Sequence, residues 1–145
     1  MRILGIDYGD KRIGLAVSDP LRVTAQAIGQ YEVAGRKKDA RYFRELVQKY
    51  GIAEIVIGLP LQMDGHQGDR VDKTKEFADW IGKCLNIPIN FWDERLTTKQ
   101  ALRVLRQHKS SSRKKKKYKD QISAVIILSD FLESKRNEAI DSEDH

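Results

Sequence analysis

The sequence has a single cysteine and no long apolar run, and each absence excludes a class of protein. Cys84 has no second cysteine with which to form a disulfide in the chain, which suits a reducing compartment and predicts a cytoplasmic protein. No stretch of about 18 apolar residues is present, which excludes a transmembrane helix. The first apolar stretch ends at the acidic Asp7, so it lacks the apolar middle region of a signal peptide.

Composition and length indicate one folded domain. Hydrophobic residues make up 40% of the chain and charged residues 33%, a balance that can form a core and is too apolar for a disordered protein. The 145 residues fit one domain, and they show no internal repeat or interdomain linker. We expect residues 1–137 to form that domain and residues 138–145, which include four acids, to be a frayed tail.

The basic residues predict a polyanionic partner. Lys and Arg number 27 against 21 acids, which gives a net charge of +6. Residues 109–119, which we call the basic segment, contain seven of them: Lys109, Arg113, Lys114, Lys115, Lys116, Lys117 and Lys119. Such a run is typical of a mobile surface loop, and we expect Arg113 and Lys114 to Lys117 to bind nucleic-acid phosphates. The alternative is a loop that is merely solvated.

Apolar periodicity predicts a mixed α/β domain. Strands are predicted at residues 2–7, 12–18, 25–33, 52–57 and 88–92. Helices are predicted at residues 38–50, 71–85 and 120–132, and the capping-box pattern from Thr97 to Gln100 predicts the start of another. Two strands joined by a short turn, followed by alternating helices and strands, indicate a five-stranded mixed sheet with an N-terminal antiparallel hairpin and flanking helices.

Acidic side chains occur where this architecture can bring them together. Asp7 ends the first strand, Asp93 and Glu94 follow the fifth, and Asp120 begins the last predicted helix. Carboxylates that converge at one edge repel one another unless they bind a cation, and oxygen ligands suit Mg²⁺ or Mn²⁺. Two such ions can support phosphodiester hydrolysis. The pattern therefore predicts a metal-dependent nuclease.

Each acid also has a structural alternative. Asp120 can cap a helix, Asp7 can form a turn, and either Asp93 or Glu94 can pair with Arg95. Asp93 and Glu94 would face opposite sides of the sheet if the strand continued through both, so only one would reach the metal. The residues themselves do not choose between these two acids.

Two arginines and two tryptophans each have a functional and a structural interpretation. Arg12 and Arg95 lie close to the acids in sequence, and we predict that they bind nucleic-acid phosphate, although each could equally bind a carboxylate. Trp80 and Trp92 are predicted to pack in the core rather than to stack on bases. An aromatic role in recognition is therefore not expected from sequence.

Four segments resemble the signature segments of the YqgF (RuvX) family and occur in the family's order. They are GIDYG at 5–9, GLPLQMDG at 58–65, DERLTT at 93–98 and KDQISA at 119–124. The resemblance covers nearly the whole chain apart from the acidic tail. It implies a ribonuclease H-like fold and a nuclease similar to Holliday-junction resolvases, and the family is also implicated in maturing the 5′ end of pre-16S ribosomal RNA.

The same resemblance implies roles for particular acids. Asp7, Glu94 and Asp120 match the family's metal-binding catalytic acids, and the implied cofactor is Mg²⁺ or Mn²⁺. Structured RNA is the implied substrate, with branched DNA as the alternative. Two other classes of protein are the alternatives. One is an ATPase similar to actin or sugar kinases, but such proteins need a second lobe to enclose the nucleotide, and 145 residues leave no room for it. The other is a non-catalytic RNA-binding module in ribosome assembly.

Overall fold

The computed structural model describes residues 1–60, 68–96 and 112–143, with side chains described in these ranges except at 112–121 and 141–143. In the described ranges the sheet has five strands in the order β3-β2-β1-β4-β5. Their bounds are β1 Arg2–Asp7, β2 Arg12–Ser18, β3 Ala25–Glu32, β4 Ile52–Leu59 and β5 Ile89–Asp93. β1, β2 and β3 are antiparallel neighbours, whereas β1, β4 and β5 run parallel. The predicted mixed sheet is confirmed.

Three α-helices and one short 3₁₀ helix are described. They are α1 Arg36–Tyr50, α2 Asp69–Leu85, the 3₁₀ helix Glu94–Leu96 and α3 Ser112–Glu143. α1 ends where predicted, because Gly51 adopts a left-handed conformation with φ of 65° and its N–H donates to the carbonyl of Val47. The helix predicted to start at Thr97 lies outside the described residues. No helix among the described residues is long and apolar enough to cross a bilayer.

The sheet carries a separate apolar core on each face. Side chains alternate between the two faces along β2. Ile13, Leu15 and Val17 lie on the face covered by α1 and α2, whereas Ala16 lies on the face covered by α3. The first core also contains Phe43 of α1 and residues of α2, including Phe77, Ala78 and Ile81. The second core forms where α3 packs on β1, β2 and β3, and its helical members are Ala124, Ile127, Leu128, Phe131 and Leu132. The sheet is therefore covered on both faces.

The last helix differs from its prediction in length and in its buried stripe. α3 begins at Ser112, so residues 112–119 of the basic segment are helical and the predicted loop is wrong there. Lysine is a good helix former, and extending an existing helix adds one hydrogen bond per residue, which outweighs the repulsion between solvated charges. The buried positions include Ala124 and Ile127, whereas Ile122, Val125 and Ile126 are only partly buried. α3 continues to Glu143, beyond the predicted boundary between the domain and its tail at residue 137. The division into domain and tail stays a prediction.

One carboxylate in the second half of α3 is buried, and one of its oxygen atoms lacks a partner among the described residues. Asp130 is 8% exposed, and its Oδ2 atom has no hydrogen-bond partner among the described residues. Burial raises the pKa of Asp130 to about 6, and the nearby carboxylate of Glu133 contributes to the rise. The folded protein therefore holds this proton more tightly than the unfolded chain. Stability from this group is present at acidic pH and is lost as pH rises from about 4 to 6.

We expect Asp130→Asn to stabilise the protein above pH 6, because an amide avoids burying a charge. The expected gain in unfolding free energy is on the order of 1–3 kcal/mol at pH 7.5, and it should shrink toward zero near pH 4. Urea unfolding of both proteins at several pH values measures the difference. Glu133→Gln is the matched control: Glu133 is an exposed acid one turn away, so its loss should change stability far less. A pH-independent difference between wild type and Asp130→Asn would contradict the explanation.

Candidate active site

The carboxyl ends of the parallel strands meet at one edge of the sheet. β1 ends at Asp7, and β5 ends at Asp93, which pairs with Leu59 at the end of β4. The register between β1 and β4 pairs Ile6 with Ile57, so the next residues, Asp7 and Gly58, follow side by side on adjacent strands. Adjacent strands lie about 4.8 Å apart. Strand direction and register therefore bring the ends of three strands to this edge.

Asp7 lies on the face of the sheet that α3 covers. Side chains alternate along a strand, so Asp7 shares a face with Ile3 and Gly5. Ile3 belongs to the core beneath α3, and a Cβ atom built on Gly5 would lie 2.8 Å from Cβ of Leu128. Asp7 itself is partly buried at the end of β1. Its carboxylate therefore belongs to the same side of the sheet as the last helix.

The Glu94 carboxyl group reaches back over β4 on this same face. A Cβ atom built on Gly58 would lie 3.2 Å from the carboxyl carbon of Glu94 and 2.5 Å from Cδ1 of Ile127. Because Gly58 has no side chain, the carboxyl group of Glu94 can occupy this space. The strand beneath it is the neighbour of β1. The structure thus places the carboxyl group of Glu94 one strand away from the backbone of Asp7.

The surroundings of Glu94 oppose its ionisation. Burial raises the pKa of this carboxyl, the nearby charge of Asp93 raises it further, and the positive charge of Arg70 partly offsets both. Arg70 lies in the first turn of α2, and sequence analysis did not single it out. Nothing in the sequence around Arg70 distinguishes it from other surface arginines. Its proximity to Glu94 becomes visible only in the folded structure. A cation bound beside Glu94 would act in the same direction as Arg70.

Asp93 has a different environment from its neighbour. The strand ends at Asp93 and a 3₁₀ turn begins at Glu94, so the predicted alternation through both residues does not hold. Asp93 accepts hydrogen bonds from the backbone N–H and Nε of Arg95, both at 3.0 Å, and forms a 2.7 Å ion pair with Nη2. These bonds lower the pKa of Asp93. The alternative that Asp93 pairs with Arg95 is therefore confirmed.

The path of α3 across the sheet is fixed at two places. Near its middle, Ala124 and Leu128 lie against Gly5 of β1. Toward its carboxyl end, Nη1 of Arg136 donates to the carbonyl of Val23 at 3.0 Å, in the connection between β2 and β3. That connection adjoins the amino end of β1, so α3 runs antiparallel to β1. The amino-terminal part of α3 therefore approaches the carboxyl edge of the sheet.

Asp120 belongs to that amino-terminal part. It lies in α3, four residues and about one helical turn before Ala124, which is buried against the sheet. Its side chain is outside the described set. The predicted meeting of Asp120 with Asp7 and Glu94 is therefore consistent with the backbone path and stays a prediction.

The carboxylates that are described suit a hard divalent cation. Carboxylate oxygens are the ligands that Mg²⁺ and Mn²⁺ prefer, and a partly buried carboxyl with a raised pKa gains from a bound cation. Among the residues with described side chains, no group of three His, Cys, Asp or Glu residues is placed to hold a metal. Asp120, the predicted third ligand, is not in that set. Asp7 and Glu94 thus provide donors that fit the predicted ion.

The predicted phosphate-binding residues have different outcomes. Arg12 is exposed at the start of β2, close to the edge that carries Asp7. The guanidinium of Arg95 contacts the Asp93 carboxylate. The side chains of Arg113 and of Lys114, Lys115, Lys116 and Lys117 are outside the described set. Nucleic-acid binding by all of these residues stays a prediction.

Comparison with solved structures identifies the fold. The RuvC protein of T. thermophilus in complex with a Holliday junction substrate matches with a TM-score of 0.60 at 14% identity, covering 94% of this chain and 96% of that chain. The fowlpox virus Holliday junction resolvase matches with a TM-score of 0.56 at 16% identity, covering 92% of this chain and 99% of that one. At such identities the likeness concerns the fold alone. The expected ribonuclease H-like fold is confirmed.

Comparison with curated sequences identifies the family. A protein of Syntrophomonas wolfei is 46% identical over 92% of this chain and 94% of its own length. One of Halothermothrix orenii is 47% identical over 91% of this chain and 94% of its own length. Both carry the name "Putative pre-16S rRNA nuclease". The family model described as "RuvX: Holliday junction resolvase" matches residues 1–134, and the chain therefore belongs to the RuvX family.

Proposed function

We propose that this protein is a metal-dependent nuclease that hydrolyses phosphodiester bonds in structured RNA during maturation of the 5′ end of pre-16S ribosomal RNA. The observation that carries the proposal is the position of two acids on one face at the carboxyl edge of the sheet: Asp7 ends β1, and the carboxyl group of Glu94 lies over Gly58 of the neighbouring strand β4. The RNA substrate is proposed from the names of relatives that are 46% and 47% identical. The single cysteine and the expected RNA substrate favour a cytoplasmic location.

Three residues would hold the metal in this proposal. Asp7 and Glu94 supply described carboxylates, and Asp120 of α3 is the proposed third ligand. When bound, a pair of Mg²⁺ or Mn²⁺ ions would supply positive charge for both the attacking and the leaving oxygen of phosphodiester hydrolysis. Arg70 favours the ionised form of Glu94, so it helps to keep that ligand charged. Asp93 and Arg95 form an ion pair with each other beside the site.

Binding of the polyanionic substrate is assigned to the basic residues at this edge. Residues 112–119 of the basic segment form the first turns of α3, which leads toward the carboxyl edge of the sheet. Their charges would contact phosphates without reading the bases, so the affinity would fall steeply with added salt. Arg12 is exposed at the same edge and would add a contact.

Cleavage of branched DNA is the second candidate function. The matching family model is described as a Holliday junction resolvase, and the fold matches two resolvases with TM-scores of 0.60 and 0.56. The two candidates share the same carboxylates and differ only in substrate. Parallel cleavage assays with a structured precursor of 16S RNA and with a four-way DNA junction, each with Mg²⁺ or Mn²⁺, distinguish them.

Asp7→Asn is expected to reduce cleavage at least a hundredfold while leaving the fold intact. The amide has nearly the same shape as the carboxylate but lacks its charge, so it is a poor ligand. A metal-held transition state is stabilised by several kcal/mol, and each 1.36 kcal/mol is a tenfold change in rate. Single-turnover cleavage of the RNA and the junction measures the effect, with circular dichroism as the fold control.

Asp79→Asn is the matched control for this variant. Asp79 lies in α2, where its exposed carboxylate forms a 3.1 Å ion pair with Lys83. Its loss should change cleavage by less than about threefold, because exposed ion pairs contribute little. Full activity of a folded Asp7→Asn protein would contradict the catalytic assignment and favour the non-catalytic RNA-binding module.

A further inference from the structure

A cavity of about 350 Å³ opens at the carboxyl edge of the sheet, on the face opposite α3. It is bounded by the turn after β1, the start of α1 and the middle of α2. The lining residues used below are Tyr8, Arg36, Asp39, Lys73, Phe77 and Trp80. Its volume lies within the range of small-molecule sites, which begins at about 300 Å³. It is thus large enough for a nucleobase.

Aromatic rings form one wall of this cavity. The ring of Tyr8 stacks on that of Phe77, with centroids 4.6 Å apart and planes inclined by 22°. The indole of Trp80 lies next, 6.0 Å from the Phe77 ring, and carries the guanidinium of Arg36 at 5.3 Å from its centroid. Tyr8 and Trp80 are only partly buried, while Phe77 belongs to the core. Partly buried aromatic rings beside an arginine are the groups on which unpaired bases stack.

The polar groups of the cavity suit a base better than an isolated phosphate. Arg36 and Lys73 bring positive charge, but Asp39 is 5% exposed and contributes a carboxylate to the lining. Oδ1 of Asp39 accepts hydrogen bonds from the hydroxyl of Tyr31 at 2.7 Å and from the backbone of Ala34 at 2.9 Å. A fixed carboxylate repels phosphate, whereas carboxylates accept hydrogen bonds from amino groups on base edges. The lining therefore favours a flat group with donors at its edge.

The cavity is adjacent to the proposed catalytic edge. Tyr8 directly follows Asp7, so their Cα atoms are about 3.8 Å apart. Because side chains alternate at the end of a strand, Asp7 belongs to the α3 face, whereas Tyr8 contacts α2 on the other face. A nucleic-acid strand that crosses this edge with a phosphate at Asp7 would have a neighbouring nucleotide beside the cavity.

We propose that this cavity binds an unpaired nucleobase of the substrate strand, next to the bond that is cleaved. The base stacks on the Tyr8 and Trp80 side of the cavity, Arg36 contributes a cation–π contact, and Asp39 accepts from the base edge. This inference rests on the proposed nuclease function and adds to it a requirement for an unpaired nucleotide at the site. It also assigns Trp80 a recognition role that sequence analysis did not predict.

The test separates the contribution of bases from that of phosphates. A fluorescein-labelled ten-nucleotide oligoadenylate is compared with an abasic oligomer of the same length and charge, both in EDTA so that no cleavage occurs. The wild-type protein should bind the oligoadenylate about tenfold more tightly, because stacking of one base has this magnitude. Trp80→Leu should lower affinity for the oligoadenylate about tenfold and leave affinity for the abasic oligomer within twofold.

Two further variants make the result specific. Arg36→Ala removes an exposed side chain, so this variant should fold even if Trp80→Leu does not. It should weaken binding of the oligoadenylate and leave binding of the abasic oligomer within twofold. Phe91→Leu is the matched control, because Phe91 is an aromatic residue that is 42% exposed and lines a separate cavity on β5 and α2. It should leave both affinities unchanged.

The outcomes that overturn the inference are distinct from failure of the nuclease function. If folded Trp80→Leu and Arg36→Ala bind both oligomers as the wild type does, or lose both equally, the cavity does not bind a base. If adenosine monophosphate binds more tightly than the oligoadenylate, the cavity is a free-nucleotide site and the inference is wrong. Selective loss without any cleavage by the wild type would support the cavity and remove the nuclease proposal.

Discussion

Glu94→Gln is expected to reduce cleavage at least a hundredfold, while Asp93→Asn retains most of the activity. The carboxyl group of Glu94 lies over Gly58 on the face that α3 covers, where Asp7 also lies. Its neighbour Asp93 instead forms a 2.7 Å ion pair with Arg95. Removing a charged ligand costs several kcal/mol of transition-state stabilisation, whereas removing a partly exposed ion pair costs little. Single-turnover rates with saturating Mg²⁺ or Mn²⁺ measure both variants.

Each of these two variants serves as the control for the other. Glu94 and Asp93 are adjacent in sequence, and each change replaces one carboxylate with an amide, so general effects of charge on substrate binding should be equal. A normal rate for Glu94→Gln together with a large loss for Asp93→Asn would show that Asp93 is the ligand. Equal losses would mean that the changes act on local structure rather than on a ligand, and thermal unfolding would reveal this.

Gly5→Ala is expected to destabilise the protein by about 3 kcal/mol, which corresponds to about 10 °C in Tm for a domain of this size. The added Cβ would lie 2.8 Å from Cβ of Leu128 and 3.1 Å from the carbonyl oxygen of Ala124. Neither atom can rotate away, because one is fixed to the helix backbone and the other belongs to it. α3 must therefore shift away from β1. Urea or thermal unfolding followed by circular dichroism measures the loss.

Gly58→Ala is the matched control for stability. There the closest atom is Cδ1 of Ile127, the end of a side chain that can change rotamer, so the loss of stability should be smaller. The double variant with Ile127→Val, which lacks that atom, should recover part of it, because valine keeps the Cγ1 atom that lies 3.0 Å from the added Cβ. Cleavage should stay low in both variants that carry Gly58→Ala, because the carboxyl carbon of Glu94 lies 3.2 Å from the added Cβ. Equal destabilisation by Gly5→Ala and Gly58→Ala would contradict the account of helix packing.

The predictions that succeeded depend on local patterns. Residues 12–18 alternate apolar and small side chains, and they form β2 with its two faces in the two cores. Gly51 follows a helical pattern and ends α1. The position of Asp7 at a strand end is likewise confirmed by the structure. Each of these features is decided by residues within a few positions of one another, so the sequence reveals them without knowledge of the fold.

The failed prediction of a loop, and the features that the sequence left open or did not predict, depend on contacts between distant segments. The basic segment lacks an apolar anchor, so its repelling charges indicate a loop, yet residues 112–119 continue a helix whose later turns pack on the sheet. The choice between Asp93 and Glu94 depends on a 3₁₀ turn and on the space above Gly58, which lies 36 positions earlier in the chain than Glu94. The same reason explains why the sequence does not predict Arg70 or the cavity beside Tyr8: helix α2 brings them to the site.

The late position of α3 in the chain has a consequence for biosynthesis. Domains generally fold from the amino terminus as the chain is made, at about 5–20 residues per second. All five strands described precede residue 94, so β1, β4 and β5 can pair while Ile3, Ala16 and Val56 are still uncovered on the face that α3 later occupies. A growing chain at that stage would expose an apolar surface and would lack Asp120. With Asp120 as the proposed third ligand, the proposed metal site would be complete only once the last helix docks, after all five described strands have been made.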